Sequence, residues 1–266
     1  MTQSGIDNAV NLSERQKRIR TDVILALLMG LWCLSVLLAA WYRQPLISRD
    51  GAVYLLSRFD LEYSLSTAFS PCIAAMIRWA GTLGLDPEKF VISLNIVAVS
   101  VSGMAIYGIS RLCFKQRIVA VVAALLFSLN PTIVKNTHMV QRESLFLLGL
   151  CVSVFLLFLA FKFDADRPRF KFASIALSGF FCAFGLFSRL EILEWWLLAN
   201  ALVLFGFWGK AARRQRLIDA GVFNLAFLVG LILLLLPLRV SPAAWEKVFR
   251  IKIEHYLKKG TTSWSH

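Results

Sequence analysis

Three short stretches carry the residue types that could do chemistry together. In Ile47-Ser48-Arg49-Asp50-Gly51-Ala52-Val53-Tyr54-Leu55, Asp50 and Tyr54 are four apart, one helical turn, so their side chains can meet. A carboxylate there can cap a helix or take a proton from a hydroxyl. Between Lys135 and Leu145 lie His138, Arg142 and Glu143, with His138 and Arg142 again one turn apart. Glu143 opens an apolar run, where an acid also complements the helix dipole. Between Gly185 and Trp196 lie Arg189, Glu191 and Glu194, on a join with almost no loop. Arg189 can snorkel to an interface there, or grip a phosphate beside its two acids.

These stretches have to be positioned by membrane helices. The chain of 266 residues is 58% hydrophobic and only 17% charged, and its apolar runs recur at span length. The expected class is all-α, a polytopic membrane protein of about seven transmembrane helices. The spans are expected near Asp22 to Tyr42, Phe90 to Leu112, Ile118 to Val134, Ser144 to Phe163, Phe172 to Ser188, Ile192 to Trp208 and Leu217 to Leu238. Asn130-Pro131 should bend or end the third. The first is expected to stay as an anchor, because its apolar stretch exceeds a signal-peptide core and no clean cleavage site follows.

Basic residues orient the bundle. With the N-terminus inside, Arg15 to Arg20, Arg111 to Arg117, Lys162 to Lys171 and Lys210 to Arg216 all fall on the cytoplasmic side. Counting Phe69 to Leu85 as a span would throw three of these clusters outside. That segment also holds Arg78 near its centre, so it is expected on or partly in the outer leaflet. Residues 1–21 then form a cytoplasmic segment, 22–239 the membrane domain and 240–266 an outer tail. Asp50 to Glu62 reads as an amphipathic helix on the membrane. Ala52, Leu55, Leu56 and Phe59 share its apolar face, and Asp50, Tyr54 and Ser57 the other.

The net charge of +13 fits a membrane surface better than nucleic acid, for which no binding signature is present. Five scattered cysteines give neither a disulfide framework nor a metal site. The spans are nearly free of charge, with Asn95, Asn200 and Asn224 their clear polar residues. The reactive groups instead collect at the outer rim, unlike the midplane groups of an ion-coupled transporter.

Taken in order, these stretches resemble the GT-C superfamily of membrane glycosyltransferases. The resemblance is closest to the branch similar to protein mannosyltransferases and lipid A aminoarabinose transferases (glycosyltransferase family 39-like). It rests on Asp50-Gly51 with Tyr54 after the first span, the proline-led Phe69-Ser70-Pro71-Cys72-Ile73, Arg142-Glu143 at the fourth span, and Gly185 with Arg189-Leu190-Glu191 after the fifth. The resemblance implies transfer of a sugar from a polyprenyl-phosphate carrier to a lipid, glycan or protein hydroxyl, with inversion, on the outer face of a bacterial inner membrane. It implies Asp50 as the base, with Arg189, Arg142 and Arg58 as phosphate contacts and Tyr54, His138, Glu143 and Glu191 lining the substrate site. Gly51 stands where many relatives have a second acid, so a divalent cation is an open expectation and no metal ligands are assigned. Relatives usually continue beyond a seventh span, so a minimal or shortened version is expected. A lipid or glycan flippase, or an accessory membrane subunit, is the alternative.

Overall fold

The computed structural model describes residues 3–40, 49–57, 59, 70–114, 116–162, 168–205, 213–236, 246 and 250. Among these residues there are ten α-helices and no strand. In chain order they are α1 (Gln3–Ala40), α2 (Arg49–Leu56), α3 (Pro71–Thr82), α4 (Pro87–Cys113), α5 (Arg117–Ser128), α6 (Pro131–Thr137), α7 (Glu143–Lys162), α8 (Pro168–Ser188), α9 (Ile192–Phe205) and α10 (Arg213–Leu235).

Five helices are long and apolar enough to cross a bilayer: α1 over Gln16–Ala40, then α4, α7, α8 and α10. A sixth crossing is available to α5 and α6 as one broken span, bent by 53°. The break is written in the sequence. Asn130 accepts from the backbone N–H of Thr132 and Ile133, and Pro131 takes the first helical position, where its missing N–H does no harm. The expected sixth of seven spans, Ile192 to Trp208, is a helix of only 14 residues as far as Phe205. Residues 206–212, which include the expected end of this span at Trp208, lie outside the described residues. The membrane class stands, with five or six helices able to cross among the described residues.

Helix α8 sits at the centre, packed on α7 at one side and α10 at the other; α7 continues to α4, and α4 to α1 and α5. Glycines set the closest approaches. A Cβ on Gly149 of α7 would fall 2.7 Å from the Gly185 Cα of α8, and one on Gly179 would collide with the Phe223 carbonyl of α10. Without a hydrophobic drive between helices in lipid, such close backbone contact is a main source of association.

Polar pairs complete the bundle. Trp195 Nε1 of α9 donates to Ser153 Oγ of α7 at 2.9 Å, and Ser178 Oγ of α8 donates to the Ser153 carbonyl at 2.8 Å. Trp196 Nε1 donates to Asn224 Oδ1, and Asn224 Nδ2 to Asn200 Oδ1 at 2.6 Å. Two of the three mid-span asparagines thus satisfy each other. At the Pro168 end of α8 the spans are not free of charge: Lys171 Nζ lies 2.7 Å from Asp219 Oδ2, with both side chains about 5% exposed or less. On the same side of the bundle Asp22 of α1 takes hydrogen bonds from Arg111, Arg117 and Tyr107, joining α1, α4 and α5.

The first connection folds back against the opposite end. Helix α2 packs on α3, and α3 on α4 and α8. With 12 residues α3 is too short to cross. It buries Cys72, Ile73, Ile77 and Ala80 and turns Arg78 and Trp79 outward. Its end is set by Gly84 at φ 68°, the left-handed region that favours glycine. Asp86 then caps α4 by accepting from the N–H of Glu88 and Lys89, with Pro87 at the first position.

Candidate functional site

Three segments converge at the end of the bundle opposite Asp22 and Lys171. Helix α2 supplies Asp50 and Tyr54, the residue before α7 is Arg142, the first of α7 is Glu143, and the turn from α8 to α9 supplies Arg189 and Glu191. Helix α2 is shorter than the sequence pattern suggests, and Leu55, expected on the outer apolar face, packs against the core cluster of Tyr54 instead. Ala52, Leu56 and Phe59 are exposed, while Tyr54 and Ser57 are each 1% exposed and point into the protein. Asp50 sits in the first turn and is exposed.

Arg189 is the hub. Its Nε and Nη2 donate to Glu191 Oε1 at 3.2 and 2.6 Å, and its Nη1 lies 3.5 Å from Glu143 Oε1. The guanidinium also lies over the Phe146 ring, 5.8 Å from its centroid, a cation–π distance. Gly149 and Gly185 make this meeting possible, because their contact draws the ends of α7 and α8 together. Burial favours a neutral Glu191, but hydrogen bonds from Arg189 and the backbone, with the charges of Arg189 and Arg142, hold its carboxyl below the usual range.

Tyr54 lies within reach of the same charges. Burial pushes its phenol above the ordinary value, and Arg142, Asp50, Glu143 and Arg189 act on it in opposing directions. The phenol is therefore a neutral hydrogen-bonding group, not a base. Its oxygen is buried without a hydrogen-bond partner, as is Oε2 of Glu143. Buried polar atoms are rarely left so, and those that are tend to mark functional places. Ser57 Oγ, just after α2, and Ser70 Oγ, just before α3, share this condition. The start of α3 is itself tied to the site, since Cys72 and Ile73 pack in the same buried cluster as Tyr54, Val140 and Phe187.

The expected residues fare differently. Asp50, Tyr54, Arg142, Glu143, Arg189 and Glu191 gather at one end, while Arg58 lies outside the described residues, as do Asp60 and Glu62. His138 is used elsewhere: its ring nitrogens lie 2.7 Å from the Val134 carbonyl and 2.9 Å from the Leu37 carbonyl. It ties the end of α6 to α1. Arg189 is not an open cation either, but one already oriented by two carboxylates. Four cysteines are buried, Cys113 is exposed, and all are free. Among the described residues no three His, Cys, Asp or Glu side chains are grouped as cation ligands. Asn95, one of the three polar residues inside the apolar spans, was given no site role by its position in the sequence, yet its amide reaches the loop before Arg142.

One protein-family model matches the chain, that for dolichyl-phosphate-mannose-protein mannosyltransferases, over residues 69–238. This is more than half of the chain and includes Arg142, Glu143, Arg189 and Glu191; Asp50 and Tyr54 precede it. No curated protein and no solved structure matches.

Proposed function

Because the chain belongs to the dolichyl-phosphate-mannose-protein mannosyltransferase family, and is thus a membrane glycosyltransferase, we propose that it moves a sugar from a polyprenyl-phosphate carrier to an acceptor hydroxyl at the end bearing Asp50. That end faces away from the cytoplasm in this reading, which the basic clusters at the other end support. Family membership sets aside the flippase and accessory-subunit alternative. The observation that carries the proposal is the meeting of Asp50, Tyr54, Arg142, Glu143, Arg189 and Glu191 from three separate segments.

Asp50 takes the proton of the acceptor hydroxyl as that oxygen attacks the anomeric carbon. The bond from that carbon to the phosphate oxygen breaks on the opposite face, so the configuration inverts. Polyprenyl phosphate leaves with the electron pair and needs little acid help. Arg142 and Arg189 neutralise its charge, and the Tyr54 phenol donates a hydrogen bond. Glu143 and Glu191 fix Arg189 before the donor arrives, which removes reorganisation from the reacting step. The isoprenoid tail lies along the exposed apolar helices.

Reconstitution in liposomes with a lipid-phosphate-linked sugar tests the assignment. Asp50→Asn keeps the shape and removes the base, with an expected loss on the order of 10²–10⁴-fold in turnover. Unchanged turnover at normal abundance would overturn it.

A further inference from the structure

The third mid-span asparagine does something the other two do not. Asn95 of α4 is fully buried, and its Nδ2 donates to the carbonyls of Met139 at 3.0 Å and Gln141 at 3.3 Å. Those two carbonyls flank Val140, which is 1% exposed and packs in the same cluster as Tyr54. The loop is compact, since the Gln141 N–H also bonds the Met139 carbonyl. The next residue is Arg142, whose carbonyl accepts from the N–H of Phe146 in the first turn of α7.

We infer that Asn95 is a positioning residue that sets the place of Arg142 by holding the loop in front of it. Carbonyls turned into an apolar bundle must find donors, and both amide hydrogens of this one side chain serve that need. The side chain's own Oδ1 is buried without a partner, an unfavourable arrangement that an apolar residue of similar shape would avoid. An asparagine at this place serves the loop it holds rather than packing. Without the amide, the two carbonyls turn toward the headgroup layer and carry Arg142 with them. Glu143 moves less, because α7 fixes it.

This inference rests on Arg142 as a donor-phosphate contact, and two measurements separate the claims. The first needs no substrate: amide hydrogen exchange of residues 139–142 in the full-length protein. Asn95→Leu keeps the volume and removes the donors, so exchange in that loop should speed while that of α8 is unchanged. The second is a cycle in the reconstituted transfer assay. Asn95→Leu should raise the donor KM on the order of tenfold with kcat little changed, and add nothing in an Arg142→Ala background. If Asn95→Leu does not accumulate, Asn95→Ser, small and still a single donor, serves with smaller shifts in the same directions. Unchanged loop exchange, or KM effects that multiply across the two sites, would overturn the role of Asn95. An Arg142→Ala enzyme with an ordinary donor KM would instead overturn the phosphate contact, and the exchange result would still decide whether Asn95 holds the loop.

Discussion

The two ends of the bundle carry similar charges and treat them in opposite ways. At one end Asp22 is shared by Arg111, Arg117 and Tyr107, and Lys171 pairs with Asp219, which also accepts from Gln215. Among the described residues no buried polar side-chain atom at that end lacks a partner. At the other end Arg189 holds Glu143 and Glu191, yet Tyr54 Oη and Glu143 Oε2 stay buried and unpartnered. The satisfied end is a set of ties between helices. The unsatisfied end keeps hydrogen-bonding capacity that the fold itself does not use, as expected of a reactive site.

Breaking one partner of the buried pair should have the largest effect on folding. Lys171→Met leaves Asp219 buried without its cation, at about 3–5 kcal/mol, so the protein should fall sharply in detergent-stable yield. The double variant with Asp219→Leu should recover most of it. At the other end Glu143→Gln should leave yield near normal and reduce turnover, because it loosens Arg189 without stranding a fully buried charge. Gly149→Ala should fall between, costing about 1–3 kcal/mol by overpacking against Gly185 and separating Glu143 from Arg189, so melting temperature and turnover drop together. Tyr54→Phe sharpens the contrast most finely: removing an unpartnered hydroxyl should hold or slightly raise thermal stability while lowering turnover.

The pH dependence has a definite sign. Glu191 titrates below the ordinary carboxylate range in the folded protein, so its pairing with Arg189 is fully present above the unfolded value of 4.5 and is lost as pH falls through the lower folded value. The acid limb of stability should therefore flatten in Glu191→Gln. A melting series between pH 6 and the acid limit checks this.

What could be read from the chain was local. Asp50 and Tyr54 share a face because they are one turn apart, Arg189 reaches Glu191 because they are two residues apart, and the bend at Asn130-Pro131 follows from a cap and a proline. What could not be read depends on partners far along the chain. Lys171 looked like one more cytoplasmic lysine until α10 brought Asp219 beside it. His138 looked like a site residue because of its distance from Arg142, yet the Leu37 carbonyl of α1 claims its ring.

The most direct test sets Asp50→Asn beside Asp22→Asn in one reconstituted transfer assay, with turnover counted per folded molecule. Asp50→Asn should fold normally and lose nearly all transfer, whereas Asp22→Asn should lower the folded yield and leave turnover per folded molecule almost unchanged. Full transfer by Asp50→Asn, or a turnover loss confined to Asp22→Asn, would place the chemistry at the wrong end and contradict the account.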